Sequence, residues 1–135
     1  WDELVVASPN FIKKSIISPE EILKYPFIMR ESGSGTRKET EKFLKKMGIE
    51  AGKLKIVCTL GSTDAVKQAV KNGLGISMLS IHSIKDEIEC NKLKAIRIEG
   101  YEMKRIFYII THTKRTLPYI YKLFYKFLNK KAVIQ

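Results

Sequence analysis

The stretch from Pro26 to Gly48, PFIMRESGSGTRKETEKFLKKMG, decides the fold class of this sequence. Its apolar start, Pro26–Arg30, predicts a buried strand with proline at the first position, where a missing N–H is tolerated. A helix is predicted from Thr36 to Met47, because its apolar side chains recur at helical spacing and Gly48 can end it. The chain therefore passes from a strand, through a turn of serines and glycines, into a helix.

The same construction recurs further along the chain. A strand is predicted at Leu54–Leu60, followed by the turn Gly61-Ser62-Thr63-Asp64 and a helix that ends at Asn72-Gly73. The apolar run Gly75–Leu79 is typical of a buried strand. The order strand, helix, strand, helix, strand predicts an α/β fold, with a mostly parallel sheet and flanking helices.

Shorter elements flank this central unit. We predict strands at Leu4–Ala7, Leu93–Ile98 and Arg105–Thr111, short helices after Ser18 and around Ile84–Ile88, and a final helix at Leu117–Leu128. The final helix carries an apolar stripe opposite a row of lysines. We expect that stripe to dock on the protein itself and the lysines to face water.

Both turns of the central unit are candidate ligand-binding segments. The carboxyl ends of parallel strands meet at one edge of a sheet, where open α/β sheets bind their ligands. Each turn offers backbone N–H groups of a helix start together with hydroxyl groups, which suits a carboxylate, a sulfate or a similar anion. The pattern by itself favours ordinary helix caps, because capping serines are common. The candidate ligand-binding residues are Ser32, Gly33, Ser34, Gly35, Thr36, Ser62 and Thr63.

The sequence contains no catalytic or metal-binding pattern. Lys38 stands where a dinucleotide-binding G-x-G-x-x-G turn needs its third glycine, and neither a P-loop nor a G-x-S-x-G nucleophile motif occurs. His82 and His112 are isolated, and Cys58 and Cys90 lack the spacing of a zinc site. We therefore predict a protein that is not an enzyme, uses no cofactor or metal, and keeps its thiols reduced in the cytoplasm.

The basic charge does not predict a DNA-reading surface. The 135 residues fit one domain and carry a net charge of +11. Residues 103–135 hold eight Lys or Arg and no acid, whereas elsewhere both signs are interspersed as on solvated helices. Most of the basic residues are lysines, which discriminate bases poorly. No apolar run approaches the roughly 18 residues of a membrane helix, so we expect no membrane association.

Four stretches resemble LysR-type transcriptional regulators. Pro26–Arg37 is similar to the hallmark strand and turn of that family, and Leu60–Val70 with Gly73–Ser80 matches the family in order and spacing. The strand Arg105–Tyr108, followed by a C-terminal helix, is similar as well. The opening Asp2–Pro9 resembles the segment that crosses between the family's two subdomains. The resemblance covers nearly the whole chain.

The resemblance implies a two-lobed sensor of the type 2 periplasmic-binding-protein architecture, with its effector held between the lobes. On that map residues 10–98 form the second lobe, residues 3–8 and 104–113 are crossing strands, and residues 117–130 form a C-terminal helix of an incomplete first lobe. The turns at 32–36 and 62–63 then face the effector cleft, which reverses the preference for ordinary caps. The expected partners are a small anionic effector and further copies of the chain.

The sequence lacks two parts that the resemblance implies. It includes neither the N-terminal winged helix-turn-helix nor the start of the first lobe, and its opening at Trp1 is interpreted as a cut end. We therefore expect the effector-sensing module of a bacterial LysR-type regulator, without sequence-specific DNA binding of its own. The alternative is a fragment of a transporter's solute-binding protein, which shares this architecture. The sequence encoded upstream of Trp1 discriminates the two.

Overall fold

The computed structural model describes residues 2–105, and Asp2–Arg105 form one compact unit. The unit contains seven strands, namely β1 (Asp2–Pro9), β2 (Ile16–Ile17), β3 (Pro26–Arg30), β4 (Lys55–Leu60), β5 (Ser77–Ser80), β6 (Leu93–Ile98) and β7 (Lys104–Arg105). Its α-helices are α1 (Gly35–Lys46), α2 (Thr63–Lys71) and α3 (Lys85–Glu89), and 3-10 helices span Pro19–Lys24, Ala51–Lys53 and Ile81–Ile84. The crossing strand predicted at 104–113 lies mostly outside the described residues, and the helix predicted at 117–130 lies entirely outside them.

The strands form a five-stranded sheet of mixed direction and a two-stranded sheet of β3 and β4, which a single bridge joins into one layer. β1 runs antiparallel to β5, β6 and β7, in the strand order β2-β6-β1-β5. The parallel pairs are β3 with β4 and β2 with β6, and a parallel bridge between Phe27 and Ile76 joins β3 to the start of β5. The expected parallel arrangement thus holds for the strands that precede the two turns. The alternation of strands and helices does not predict the direction of β1, because the strands that pair with β1 are distant in the chain.

The two longer helices form where the sequence places their caps. Ser34 caps α1 and Ser62 caps α2, and both helices are followed by a glycine with positive φ, Gly48 at +76° and Gly73 at +79°. The helix predicted after Ser18 is a single 3-10 segment. Within the described residues no helix is both long and apolar enough to cross a membrane.

The core lies on both faces of the sheet, which is why β1 and β3 contain consecutive buried apolar residues. Leu4 and Val6 of β1 pack on the α1 side, whereas Val5 and Ala7 pack on the side of α2. β3 divides in the same way, since Phe27 and Met29 join the first cluster and Ile28 joins the second. Helices on both faces of a sheet confirm the predicted α/β class.

Candidate functional site

The two predicted turns lie side by side at one edge of the sheet. β3 and β4 are parallel neighbours whose last residues, Arg30 and Leu60, are paired in register. The pairing extends into the first turn, because the Glu31 N–H donates to the Leu60 carbonyl at 3.1 Å. The sequence-based expectation that both turns share the carboxyl edge therefore agrees with the geometry.

Both turns are built around a capping serine. The Ser34 Oγ accepts a hydrogen bond from the Arg37 N–H at 3.3 Å, and the Ser62 Oγ accepts one from the Ala65 N–H at 3.1 Å. Each cap satisfies the third N–H of its helix and leaves the first two without an intrahelical acceptor. Those groups belong to Gly35 and Thr36 in the first turn, and to Thr63 and Asp64 in the second.

The remaining predicted residues differ in exposure and in their contacts. Ser32, Gly33 and Gly35 are exposed, and Gly33 adopts the left-handed conformation at φ +96°, which favours glycine. Thr36 is half-buried, and its carbonyl accepts from the Thr40 Oγ1 at 2.8 Å inside α1. Among the candidates, only Thr63 has a side-chain hydrogen bond to the strand that precedes the other turn.

That cross-link is made by Arg30, which is not among the residues predicted from the sequence. Its Nη1 donates to the Thr63 Oγ1 at 3.0 Å, so the end of β3 is tied to the start of α2. Its Nε and Nη2 donate to the Glu31 Oε2 and Oε1 at 3.3 and 3.0 Å. The signal in the sequence is a charged residue that ends an otherwise apolar strand, directly before the turn.

A carboxylate also lies at the cup that the two turns form together, residues 32–36 and 62–63. The Glu31 Oε2 is the heavy atom nearest to the position that a side chain on Gly61 would occupy, at 3.6 Å, so it leans over the second turn. The Arg30 guanidinium, through its hydrogen bonds to this carboxylate, holds the pKa of Glu31 below its ordinary value. The cup therefore contains a formed ion pair in addition to hydroxyl and backbone N–H groups.

A second arginine holds the first turn in place. The Arg37 Nη1 donates to the Arg30 carbonyl at 2.9 Å, and its Nε donates to the Glu41 Oε1 at 2.8 Å. α1 is thereby fixed to the end of the strand that precedes it. The backbone around Arg30 is held by α1, while its side chain is held by α2.

The end of β5 contributes a third polar group at this edge. The Ser80 Oγ donates to the Oδ1 of buried Asp2 at 2.7 Å, and the His82 Nε2 lies 3.8 Å from the same oxygen. β5 follows the direction of β3 through the bridge at Ile76. The carboxyl ends of three parallel-running strands thus meet along one rim.

An open cavity of about 520 Å³ lies elsewhere, between β6, the segment after β1, and α3. Asn10, Lys13 and Lys94 are among its lining residues, and none of the predicted site residues touches it. Two of its polar side chains are bonded to the local backbone, because the Lys94 Nζ donates to the Lys13 carbonyl at 2.6 Å and the Asn10 Nδ2 donates to the Asn91 carbonyl. Within residues 2–105 no cluster of three or more potential metal ligands occurs.

The chain is similar to a known protein family and to named regulators of transcription. The LysR substrate binding domain family matches residues 2–132 of the chain. The chain is 36% identical over 134 residues to the HTH-type transcriptional activator CmpR of Synechocystis sp. PCC 6803, covering 96% of this chain and 43% of CmpR. It is 40% identical over 94 residues to the RuBisCO operon transcriptional regulator of Acidithiobacillus ferrooxidans, covering 70% of this chain and 29% of that protein.

A solved structure agrees with the sequence comparisons. The regulatory domain of CcmR from Synechocystis PCC6803, determined in complex with 2-PG, superposes with a TM-score of 0.77 and 29% identity. The match covers 94% of this chain and 61% of that one. This chain thus spans less than half the length of the two curated relatives, CmpR and the RuBisCO operon regulator. The expectation of a LysR-type effector-binding fold is confirmed, and the chain belongs to the LysR substrate-binding domain family.

Proposed function

We propose that the chain senses a small anionic effector through the two turns at 32–36 and 62–63. One observation carries the proposal: the Arg30–Thr63 hydrogen bond of 3.0 Å holds two capped helix starts side by side at one sheet edge. Four unsatisfied N–H groups, two from each turn, then accompany the hydroxyls of Ser32, Thr36 and Thr63. Such a set of donors recognises a carboxylate, sulfate or phosphate group.

The relatives support a regulatory role and suggest a probe. CmpR is a transcriptional activator, the RuBisCO operon protein is a transcriptional regulator, and the CcmR regulatory domain was solved with 2-PG. We take 2-PG as the first ligand to test on this chain. The family assignment favours a regulator over the solute-binding protein of a transporter.

The lobe assignment belongs to the same proposal. Residues 10–98 would form the second lobe, residues 3–8 and 104–113 the crossing strands, and residues 117–130 a helix of the first lobe. β1 supports the first of the crossing strands, because it lies between β5 and β6 and pairs at its start with β7. DNA recognition would then reside in a part of the regulator that this chain does not include.

NMR titration of the full chain with 2-PG, and separately with sulfate, tests the proposed site. We expect amide shifts to concentrate at Gly35, Thr36, Thr63 and Asp64. Thr63→Val should weaken binding by about tenfold, because a donor and its link to Arg30 are both lost. Thr63→Ser keeps the hydroxyl and should bind as the wild type does. Shifts confined to the cavity beside Lys94, or no saturable shifts, would contradict the proposal.

A further inference from the structure

The Arg30 guanidinium occupies an environment that requires an anion. Its side chain is only 15% exposed, and its Nη1 contacts Thr63 in the first turn of α2. A helix start is the positive end of the helix dipole, so a cation there is unfavourable by itself. A largely desolvated charge without a counter-ion is more costly still.

Glu31 supplies that anion at present. Its two carboxylate oxygens face the Nε and Nη2 of Arg30 in a forked arrangement, at 3.3 and 3.0 Å. The Glu31 side chain is nevertheless 42% exposed, so the carboxylate lies on the solvent side of the guanidinium and leans over Gly61. An effector carboxylate or phosphate approaching the cup would meet Arg30 from this same side.

The two residues are anchored differently. Arg30 is held by Thr63 and, through its carbonyl, by Arg37. Glu31 is fixed through its backbone, because its N–H donates to Leu60 at 3.1 Å and its carbonyl accepts from Ser34 at 3.2 Å. The Glu31 side chain can therefore rotate into solvent while the turn and the Arg30–Thr63 link stay in place.

We propose that Arg30 is the charged contact for the effector anion and that Glu31 is a built-in competitor, which occupies the guanidinium until the effector displaces it. This inference rests on the proposed function. It adds that competition with Glu31 lowers the affinity of the site for its effector. The Glu31 carboxylate mimics the ligand, so Arg30 is kept paired and in position until the effector binds. Effector binding exchanges one forked ion pair for another.

Calorimetric titration of the full chain with 2-PG and with sulfate tests the competition. Glu31→Gln should lower Kd roughly two- to fivefold, the range expected when a partly exposed ion pair no longer competes. Arg30→Gln should raise Kd by about tenfold or more, because a charge-assisted hydrogen bond is lost. In the double variant Arg30→Gln/Glu31→Gln the gain from Glu31→Gln should vanish. Glu50→Gln makes the same charge change between the end of α1 and the start of β4, and should leave Kd unchanged.

The outcomes separate the two proposals. Tighter binding by Glu31→Gln that disappears in the double variant supports the competition. Equal or weaker binding by Glu31→Gln, with amide shifts still at the two turns, overturns the competition and leaves the proposed site standing. Absence of saturable binding by the wild type and by Glu31→Gln overturns both. Because Glu31→Gln keeps the Arg30–Thr63 link, its result does not depend on whether Arg30→Gln folds.

Discussion

The Lys67 Nζ of α2 lies 2.8 Å from the Glu87 Oε1 of α3 and joins the two helices that cover one face of the sheet. The same ammonium donates to the Ser83 carbonyl at 2.9 Å, and Lys71 approaches the carboxylate at 3.7 Å. Both Lys67 and Glu87 are largely buried, with side chains 16% and 12% exposed. The Glu87 Oε2 is buried and accepts no hydrogen bond within the described residues.

Lys67→Met should therefore destabilise the fold, although it replaces the ammonium with an apolar group of similar size. It would leave the Glu87 carboxylate without its closest partner, and we expect a loss of about 1–3 kcal/mol in the free energy of unfolding. Urea denaturation at neutral pH measures it. Lys38→Met, on the exposed side of α1, should change stability by less than about 0.5 kcal/mol. Equal effects of the two substitutions would show that the pair contributes nothing.

Acid should weaken the fold through the same pair. Hydrogen bonding to Lys67 lowers the pKa of Glu87 below its ordinary 4.5, so the folded state holds the carboxylate ionised more firmly than the unfolded state does. That stability is fully present above pH 4.5 and is lost as the pH falls through the lowered pKa. Urea midpoints recorded from neutral pH to about pH 3 should fall, and less steeply in Glu87→Gln. If the urea midpoint fell equally steeply with pH in the wild type and in Glu87→Gln, the loss of stability would not come from Glu87.

Gly75 should not tolerate a side chain. A Cβ built there would lie 2.8 Å from the Pro26 carbonyl carbon and closer still to its oxygen, both backbone atoms that cannot move aside cheaply. The same carbonyl accepts from the Ile76 N–H at 2.9 Å, in the bridge that ties β5 to β3. We expect Gly75→Ala to cost about 3 kcal/mol in thermal or urea unfolding.

Gly52 provides the matched control. A Cβ at Gly52 would meet nothing within 4 Å, and its φ is not positive. Gly52→Ala should therefore be neutral, or stabilise slightly by restricting the unfolded chain. Similar stabilities of the two variants would mean that the backbone between β3 and β5 shifts to accommodate the added methyl group without loss of stability.

The sequence predicted the strand–turn–helix units well because their signals are local. Ser34 and Ser62 are caps whose effect reaches three residues, and the apolar runs of β3 and β5 are buried as expected. The direction of β1 could not be predicted, because its pairing with β5 and β6 joins residues that lie 70 or more positions apart in the chain. The spacing of apolar residues indicates local helices and strands, and it does not indicate which distant strands pair.

The candidate site was predicted in part for a similar reason. Hydroxyls and glycines at a helix start made Ser34 and Thr63 candidates, and the resemblance to LysR-type regulators favoured a ligand-binding role over ordinary caps. The roles of Arg30 and Glu31 depend on where two side chains meet after folding. Adjacent charges of opposite sign look like a solvated surface pair in a sequence, and only the contact with Thr63 distinguishes them.

DNA binding by this chain should be weak and without sequence preference. A net charge of +11 attracts phosphate backbones, yet no recognition helix is predicted from the sequence. Mobility shifts with unrelated duplexes should give equal affinities that fall steeply between about 50 and 200 mM salt. A footprint at one defined sequence that survives 200 mM salt, about the upper end of that range, would refute this expectation.

Self-association is expected from the sequence of the C-terminal segment, which lies outside the described residues. The run Ile106–Ile110 is apolar without interruption, and the helix predicted at Leu117–Leu128 carries Phe124 and Phe127 on its apolar stripe. Apolar surface of that extent is covered in a stable protein, and exchange between copies is a low-cost way to cover it. We therefore expect a dimer in sedimentation equilibrium, which Phe124→Asp with Phe127→Asp shifts toward monomer.

Lys122→Asp with Lys126→Asp changes the polar side of the same helix and should leave the dimer intact. A wild-type chain that stays monomeric at every concentration measured would show that the stripe is covered within one copy.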